Sequence, residues 1–441
     1  MQRFSRIAVF SRSFKGLPDG WKPILPITIV TGENSSGKTS LLDLLSIIDS
    51  QEFNLANSIN GVVERLNQAK DIITKFGGAE TVSVGYLAQE KPRTADALDS
   101  FFGKLITYEA KDDKLVIRAI TVIEGRSAIR VKRRNRAIFA KRFMAPNGES
   151  GLERACELAA DAHFDEQPGY KKVLEFSSPE PSAMNEWFHA ILISSQLFAD
   201  NVGKNKRRAT PLRHLESPPL SVIRYNPVRS MPDRIHHGVH KSDFDPAGTH
   251  YPFLIKRFLE DDTETLEAIR KFGLESGLFD DIALVRLSGE RGITAFSVMY
   301  EKFGKRFYAD ELGYGLGQIL PIVTDLLSSF GDCTFLIQQP ELHLHPRAQA
   351  ALGSLLHSVN KAGHFVVVET HSDFLIDRLR LTQAKSVDKV EAQILFFEKP
   401  ENAPRPVFTQ IAINPAGHLD GAPDSYRQFF VNESIDVYEN L

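Results

Sequence analysis

The strongest pattern along the chain is an apolar run that stops at a glycine and resumes as a helix. Ile27-Thr28-Ile29-Val30 is β-branched and apolar, Gly32 to Gly37 is small and polar, and Leu41, Leu42, Leu44 and Leu45 follow on one helical stripe. This predicts a buried strand, a tight turn and a helix start. Residues 3–15 have the β-branched and aromatic content of a first strand, and Gly16-Leu17-Pro18-Asp19-Gly20 is rich in turn formers, so strand one is expected beside the strand at 27–30. Residues 61–76 predict a helix that Gly77-Gly78 would stop, and Thr81 to Leu87 a strand.

From Lys104 to Arg142 short β-rich runs alternate with turn signals such as Lys111-Asp112-Asp113-Lys114 and Glu124-Gly125-Arg126, which predicts antiparallel hairpins. Helices are expected over 151–163 and 184–199, the second placing Trp187, Phe188, Ile191 and Leu197 near one face, and again over 251–278. Strands follow at 282–287 and 292–300. The apolar helix that ends near Phe330 leads into two further apolar strands, Cys333 to Ile337 and His364 to Glu369, and final strands are expected at 390–397 and 405–413.

The length of 441 residues suggests about three domains. The apolar share of 42% and charged share of 25% are those of a globular chain, and a net charge of -3 predicts no bulk attraction to nucleic acid or membrane. Cys156 and Cys333 are the only cysteines and lie far apart, which argues against a disulfide framework or a zinc site. No apolar run is long enough to span a bilayer, and the start of the chain lacks the pattern of an export signal, so a cytoplasmic protein with no membrane insertion is expected.

Gly32 and Gly37 fit the spacing G-x-x-x-x-G-K-[ST], in which glycines let successive backbone N–H groups turn inward onto phosphate oxygens. The helix that begins near Lys38 adds its positive dipole end. Lys38 would reach the β- and γ-phosphates and the Thr39 hydroxyl a Mg²⁺ ion, while Asn34 and Ser35 lend small polar side chains to the loop. Phe14 or Trp21 would offer a ring to a base, with core packing an equal alternative. Gly313, Gly315 and Gly317 precede an apolar helix and offer a second possible anion site.

The apolar strand at 333–337 ends in Gln338-Gln339-Pro340-Glu341, and the strand at 364–369 ends in Thr370-His371-Ser372. Polar groups delivered at a carboxyl edge are where Mg²⁺-organising and water-activating side chains sit in α/β nucleotide sites. His343 and His345 have no further cluster to complete a metal site and are read as structural. Arg130, Lys132, Arg134 and Arg136 share one strand face by the period of two, with Arg133 alongside. That face would contact DNA or a partner, or else serve as a solvated, edge-protecting strand. Lys204-Asn205-Lys206-Arg207-Arg208 is a second basic run.

With these pieces together, the chain resembles the ABC-type ATPases related to the SMC proteins and the overcoming-lysogenization-defect nucleases. It looks similar to the stand-alone "AAA family ATPase" branch of bacterial defence operons, which includes the ATPase subunit of the PARIS anti-phage system. The resemblance covers roughly 1–50 and 310–415, with looser matches at Tyr225–Arg234 and the Asp245-Pro246-Ala247-Gly248 turn. It implies an α/β fold: a P-loop NTPase, an ABC-type ATPase head with a mixed central sheet, an antiparallel β lobe and a helical insertion. The corresponding bounds are 1–100 and 281–441 for the two parts of the head, 101–145 for the lobe and 146–280 for the mainly helical insertion.

The resemblance further implies ATP and Mg²⁺ as cofactors, with two ATP molecules sandwiched between two protomers. Residue by residue, Gly32, Asn34, Ser35, Ser36, Gly37, Lys38, Thr39 and Ser40 become the Walker A loop, and Gly315, Gly317 and Gln318 the signature that closes on the partner's ATP. His371 becomes the switch histidine, Gln338, Gln339 and Glu341 the Walker B segment, and Thr39 and Gln338 the metal positions. The sequence departs from the general ABC pattern here, because Gln338 and Gln339 stand where two acids are expected. A neutral amide cannot act as a general base and holds a hydrated cation weakly, so low turnover is expected, with Glu341 taking part of the role. A rate near zero in this chain, restored in Gln338→Glu, would favour a non-hydrolysing ATP-dependent switch over a working ATPase. A TOPRIM nuclease domain would need around a hundred residues after His371, so no nuclease is expected in this chain. The implied partners are a second copy through the ATP sites and a separately encoded effector, in anti-phage defence. The alternatives are a DNA-binding repair or recombination ATPase that uses Arg130, Lys132, Arg133, Arg134 and Arg136, and a non-hydrolysing ATP-dependent switch.

Overall fold

The computed structural model describes residues 4–54, 59, 72–73, 80–90, 100–111, 114–125, 127–144, 156, 169–175, 187, 189–194, 220–238, 244–288, 294–328, 333–360, 363–400, 403 and 405–428. Two sheets dominate these residues. The first is antiparallel and eight-stranded. It runs from β2 (Gly20–Ile24) and β1 (Phe4–Arg12) through β4 (Thr81–Glu90), β5 (Ser100–Lys111), β6 (Lys114–Glu124), β7 (Ser127–Arg134) and β8 (Ala137–Met144) to β9 (Lys171–Glu175).

The second sheet is seven-stranded and mixed. Its order is β10 (Val222–Tyr225), β15 (Thr334–Gln338), β16 (Phe365–Glu369), β3 (Ile27–Gly32), β17 (Ala392–Glu398), β18 (Val407–Ile413) and β19 (Leu419–Asp420). The first five strands are mutually parallel, so all deliver their carboxyl ends to one edge. A smaller sheet joins β11 (His236–His237), β13 (Thr294–Lys302) and β12 (Asp281–Ser288), with β14 (Lys305–Phe307) on β13. The described helices are α1 (Lys38–Asp49), α2 (Gln51–Asn54), α3 (Tyr251–Asp261), α4 (Thr263–Ser276), α5 (Tyr314–Ser328), α6 (Pro346–Val359) and α7 (Asp373–Lys385).

The mixed sheet is covered on both faces, which is why its parallel strands read as unbroken apolar runs. Side-chain alternation sorts their residues between two cores. Val30, Leu336, Val367 and Leu395 point into one with α1 and the antiparallel sheet, while Ile29, Ile337, Val366, Val368 and Ile394 point into the other with α3 to α7. The P-loop strand is thereby fixed in the middle of the molecule. At about 25 cal/mol per Å² of apolar area, burial on both faces is the main force that holds it there.

The structure has the predicted class: α/β, with a mixed central sheet and an antiparallel β layer. The hairpins predicted over 104–142 are present, and they continue the sheet that β1 and β4 begin. Strand one does not neighbour the P-loop strand, because β1 pairs with β2 and β4 in the other sheet. The helix expected over 251–278 is two helices, broken at Asp262, whose carboxylate accepts the Thr265 N–H and so caps α4. Of the helix expected over 184–199, residues 187 and 189–194 are described and helical, with Trp187, Ala190 and Ile191 buried. The helices expected over 61–76 and 151–163 and the run Lys204–Arg208 lie almost wholly outside the described residues.

The basic face expected of Arg130, Lys132, Arg133, Arg134 and Arg136 does not exist as a face. β7 is an inner strand between β6 and β8 and not an edge, and the sheet face that carries Arg130 and Lys132 is covered, at 1% and 6% exposure. Arg130 donates to Thr121 Oγ1 at 2.9 Å, and the Lys132 ammonium lies 3.7 Å from the centre of the Tyr170 ring. Arg133 is half-buried and bonds the Asn135 carbonyl at 3.0 Å. Arg134 and Arg136 are exposed at the hairpin tip, around the positive φ of Asn135. No helix among the described residues is long and apolar enough to cross a membrane.

Candidate functional site

The carboxyl end of β3 runs directly into the glycine-bounded loop. Gly32, Ser35 and Gly37 have φ values of 127°, 61° and 104°, which curl the backbone into a concave turn. A side chain at Gly32 would collide with the backbone of Phe397, and one at Gly37 with the Gly16 carbonyl, so both positions demand glycine by conformation and by space. The loop is tied down by Glu33 N–H to Phe397 O at 2.9 Å and Ser36 Oγ to Glu33 O at 2.7 Å. α1 starts at Lys38 with no side-chain cap, which leaves its first N–H groups for an anion.

Lys38 is buried and folds back on the loop, with Nζ donating to Gly32 O at 2.9 Å and Glu33 O at 2.5 Å. Burial lowers its pKa, against the pull of the Glu369 and Glu33 carboxylates. Asn34 and Ser35 are exposed at the loop tip, while Ser36 and Ser40 are buried. Phe14 lies in the core and Trp21 packs on Phe10 at 5.0 Å between ring centres; neither presents a free ring beside the loop.

The neighbouring strand β16 contributes a residue that motif reading missed. Glu369, 4% exposed, accepts the Thr39 hydroxyl on both carboxylate oxygens at 2.9 and 3.1 Å. It also accepts Gln338 Nε2 at 3.1 Å. On its other side Gln338 Oε1 faces Arg224 at 3.5 Å, a long contact, while Arg224 donates to Asp43 at 2.7 Å. Asp43 is shared with Lys15 at 2.6 Å, so its charge is already balanced within the fold. The acid at the end of the Phe365–Val368 run carried the same signal that drew attention to Gln338, an apolar strand ending in a polar group at the carboxyl edge.

Beyond β15 the chain turns at Gln339, whose φ of 42° lets its N–H reach Glu369 O at 2.7 Å and leaves its side chain half-buried. Glu341 then comes back to the edge, where its Oε1 accepts the His371 N–H at 2.7 Å. Its Oε2 is buried and has no partner among the described residues. The His371 imidazole is held below its ordinary pKa, first by partial burial and then by the Lys38 ammonium, against the pull of Glu341 and Glu369. The structure therefore brings the Gly32–Ser40 loop, Gln338, Gln339, Glu341 and His371 to one edge, together with Glu369 and Arg224.

Gln318 differs from its expected role. It is fully buried, with Oε1 accepting Arg229 N–H at 2.8 Å and Nε2 donating to Arg229 O at 2.5 Å, so its amide is consumed within its own chain. Gly315 to Leu326 are all buried, and at 318 the amide closes on the Arg229 backbone. Arg229 is buried too, which pulls its pKa down to about 10, and it feels the Glu341 charge. Gly315 and Gly317 pack against the His343 carbonyl and Met231, where a side chain would not fit. The exposed part of this segment is the turn from Asp310 to Tyr314. His345 caps α6 by accepting the Arg347 N–H, and His343 packs on Tyr314, as their structural reading expects.

A triphosphate and a hard cation fit the donors present: a positive-φ loop at an uncapped helix start, a lysine, a hydroxyl and a carboxylate. Among the described residues no cluster of three or more His, Cys, Asp or Glu side chains is placed to hold a metal alone. Mg²⁺ bound by one or two protein groups plus substrate phosphates needs no such cluster. A separate cavity of about 620 Å³, lined by Trp21, Pro23, Leu25 and Ala392 among others, lies at the amino end of β3 and apart from this edge.

Loop and sheet together define a P-loop NTPase. A family model described as "AAA domain, putative AbiEii toxin, Type IV TA system" matches residues 193–377, somewhat under half of the chain. No curated protein matches the chain. Among solved structures it is similar to an Smc head bound to the C-winged helix domain of ScpA, at TM-score 0.43 and 10% identity over 94% of this chain and 99% of that one. A Pyrococcus furiosus-derived Smc head with an extended coiled coil, bound to the C-terminal domain of ScpA, gives 0.41 and 9% over 99% and 100%. The SMC head domain from Thermotoga maritima gives 0.34 and 13% over 92% and 98%.

Proposed function

We propose that the chain is an ATP-binding, Mg²⁺-dependent ATPase, two copies of which close around bound ATP to control a separate effector. The observation that carries this reading is the Gly32–Ser40 loop, where backbone N–H groups, an uncapped helix start and Lys38 converge at the carboxyl edge of a buried parallel strand. Those groups would hold the phosphates, displacing Lys38 from its own loop carbonyls. Thr39 would face the cation, whose charge offsets that of the phosphates.

Glu341 is suited to take a proton from the attacking water. Its Oε2 makes no hydrogen bond among the described residues, and its Oε1 is fixed by the His371 N–H. His371, neutral at pH 7 by its lowered pKa, adds no competing positive charge beside Lys38. The exposed turn Asp310–Tyr314 is the part of the expected signature segment that a second copy would present. A role in defence is supported by the resemblance to ATPases of defence operons and by the toxin–antitoxin wording of the matched family model.

Binding of a fluorescent ATP analogue tests the reading. Lys38→Ala should weaken it roughly 10- to 100-fold, the equivalent of a lost charge-assisted contact of about 1.5–3 kcal/mol. A wild-type chain that binds no nucleotide, or a Lys38→Ala chain that binds as tightly as wild type, contradicts it.

A further inference from the structure

We propose that the carboxylate that organises Mg²⁺ in this site has moved from the β15 strand to its neighbour β16: Glu369 is that carboxylate, and Gln338 is a neutral strut that positions it. The proposal rests on the nucleotide reading above and identifies which side chains serve it.

Three observations carry it. The Thr39 hydroxyl, the P-loop group expected on the cation, is already held by both oxygens of Glu369. Glu369 is buried at the carboxyl end of β16, in register with Val30 of the P-loop strand, so it stands at the edge where the loop begins. The other buried acid nearby, Asp43, is occupied by Lys15 and Arg224 and is not free to serve.

The amide at 338 then has a physical reason. The side chain must offer a donor to Glu369 on one side and an acceptor towards Arg224 on the other, and glutamine does both. A glutamate there would set a second carboxylate about 3.1 Å from Glu369 Oε2 in a buried place. Two such groups cannot both stay ionised. The paired glutamines that suggest a weakened site are thus the counterpart of an acid one strand away, and restoring an acid at 338 alone should damage the site. This is the opposite of the restoration in Gln338→Glu that would favour a non-hydrolysing switch.

The test is the affinity of a fluorescent ATP analogue measured in Mg²⁺ and in EDTA, for wild type, Glu369→Gln, Gln338→Glu and the double variant. Wild type should bind more tightly with Mg²⁺. Glu369→Gln, which removes a negative charge beside the loop, should bind in EDTA at least as tightly as wild type and lose about 10- to 100-fold of the Mg²⁺ enhancement. Gln338→Glu should also lose enhancement, and the double variant, with its single acid returned to β15, should regain part of it. If Glu369 only ties β16 to α1, its substitution will lower affinity equally with and without Mg²⁺, or leave both unchanged, and the proposal is overturned. If wild type binds in neither condition, the nucleotide reading itself fails.

Discussion

At the residue scale, the site separates acids that bind from acids that balance charge. Asp43 lies close to the P-loop yet is paired with two cations, whereas Glu341 keeps one buried oxygen without a partner among the described residues. A general base contributes typically 10²- to 10⁴-fold to a rate. Glu341→Gln should therefore slow phosphate release by about that factor while leaving nucleotide affinity within a few-fold of wild type, as steady-state assays beside binding titrations would show. The same contrast explains what could be read from sequence. Lys38 and Thr39 sit in one short motif whose spacing carries its own geometry. Glu369 meets Thr39 across 330 residues of chain and Gln338 across 31, and neither distance is written in a local pattern. Gln318 was misread for a related reason, because its partner Arg229 lies 89 residues away.

At the scale of elements, periodicity located the strands well and their environment less well. The period of two correctly placed Arg130 and Lys132 together, but alternation does not say which side of an inner strand is covered. A similar buried cation ties the two layers. Lys104 on β5 donates to the carbonyls of Phe53 at 2.9 Å and Asn54 at 3.1 Å, and burial lowers its pKa to about 7. An unburied lysine titrates at 10.5, so between pH 7 and 10.5 the unfolded chain binds more protons at this residue than the folded one, and stability should rise with pH. Below pH 7 both states are protonated and the residue adds no slope. The contribution is at most about 1.4 kcal/mol per pH unit. Lys22, also lowered to about 7, acts in the same sense. Lys104→Met should flatten, without abolishing, the rise in chemical-denaturation stability from pH 7 to 9; an unchanged slope would mean that the ammonium is not penalised by its burial.

At the scale of the whole molecule, the two cores clamp the mixed sheet from both faces, so the P-loop stands at the sheet's carboxyl edge and not on a packed face. The class of the fold was legible because the buried strands 27–30, 333–337 and 364–369 are near-continuous apolar runs separated by helical patterns. The membership of β1 in the second sheet was not legible, since β2 and β4, its partners on either side, present no local signal that separates them from the P-loop strand. With Arg130 and Lys132 buried, the surface on which the DNA-binding alternative relied is largely removed.

The claim that unites these scales is that ATP held on one copy is covered by the exposed Asp310–Tyr314 turn of another. Sedimentation of the slow Glu341→Gln chain, 49.4 kDa per copy as wild type, with and without MgATP tests it most directly. The account predicts that saturating MgATP converts single copies to pairs and that added Lys38→Ala prevents the shift. A mass that stays the same while nucleotide is demonstrably bound would contradict it.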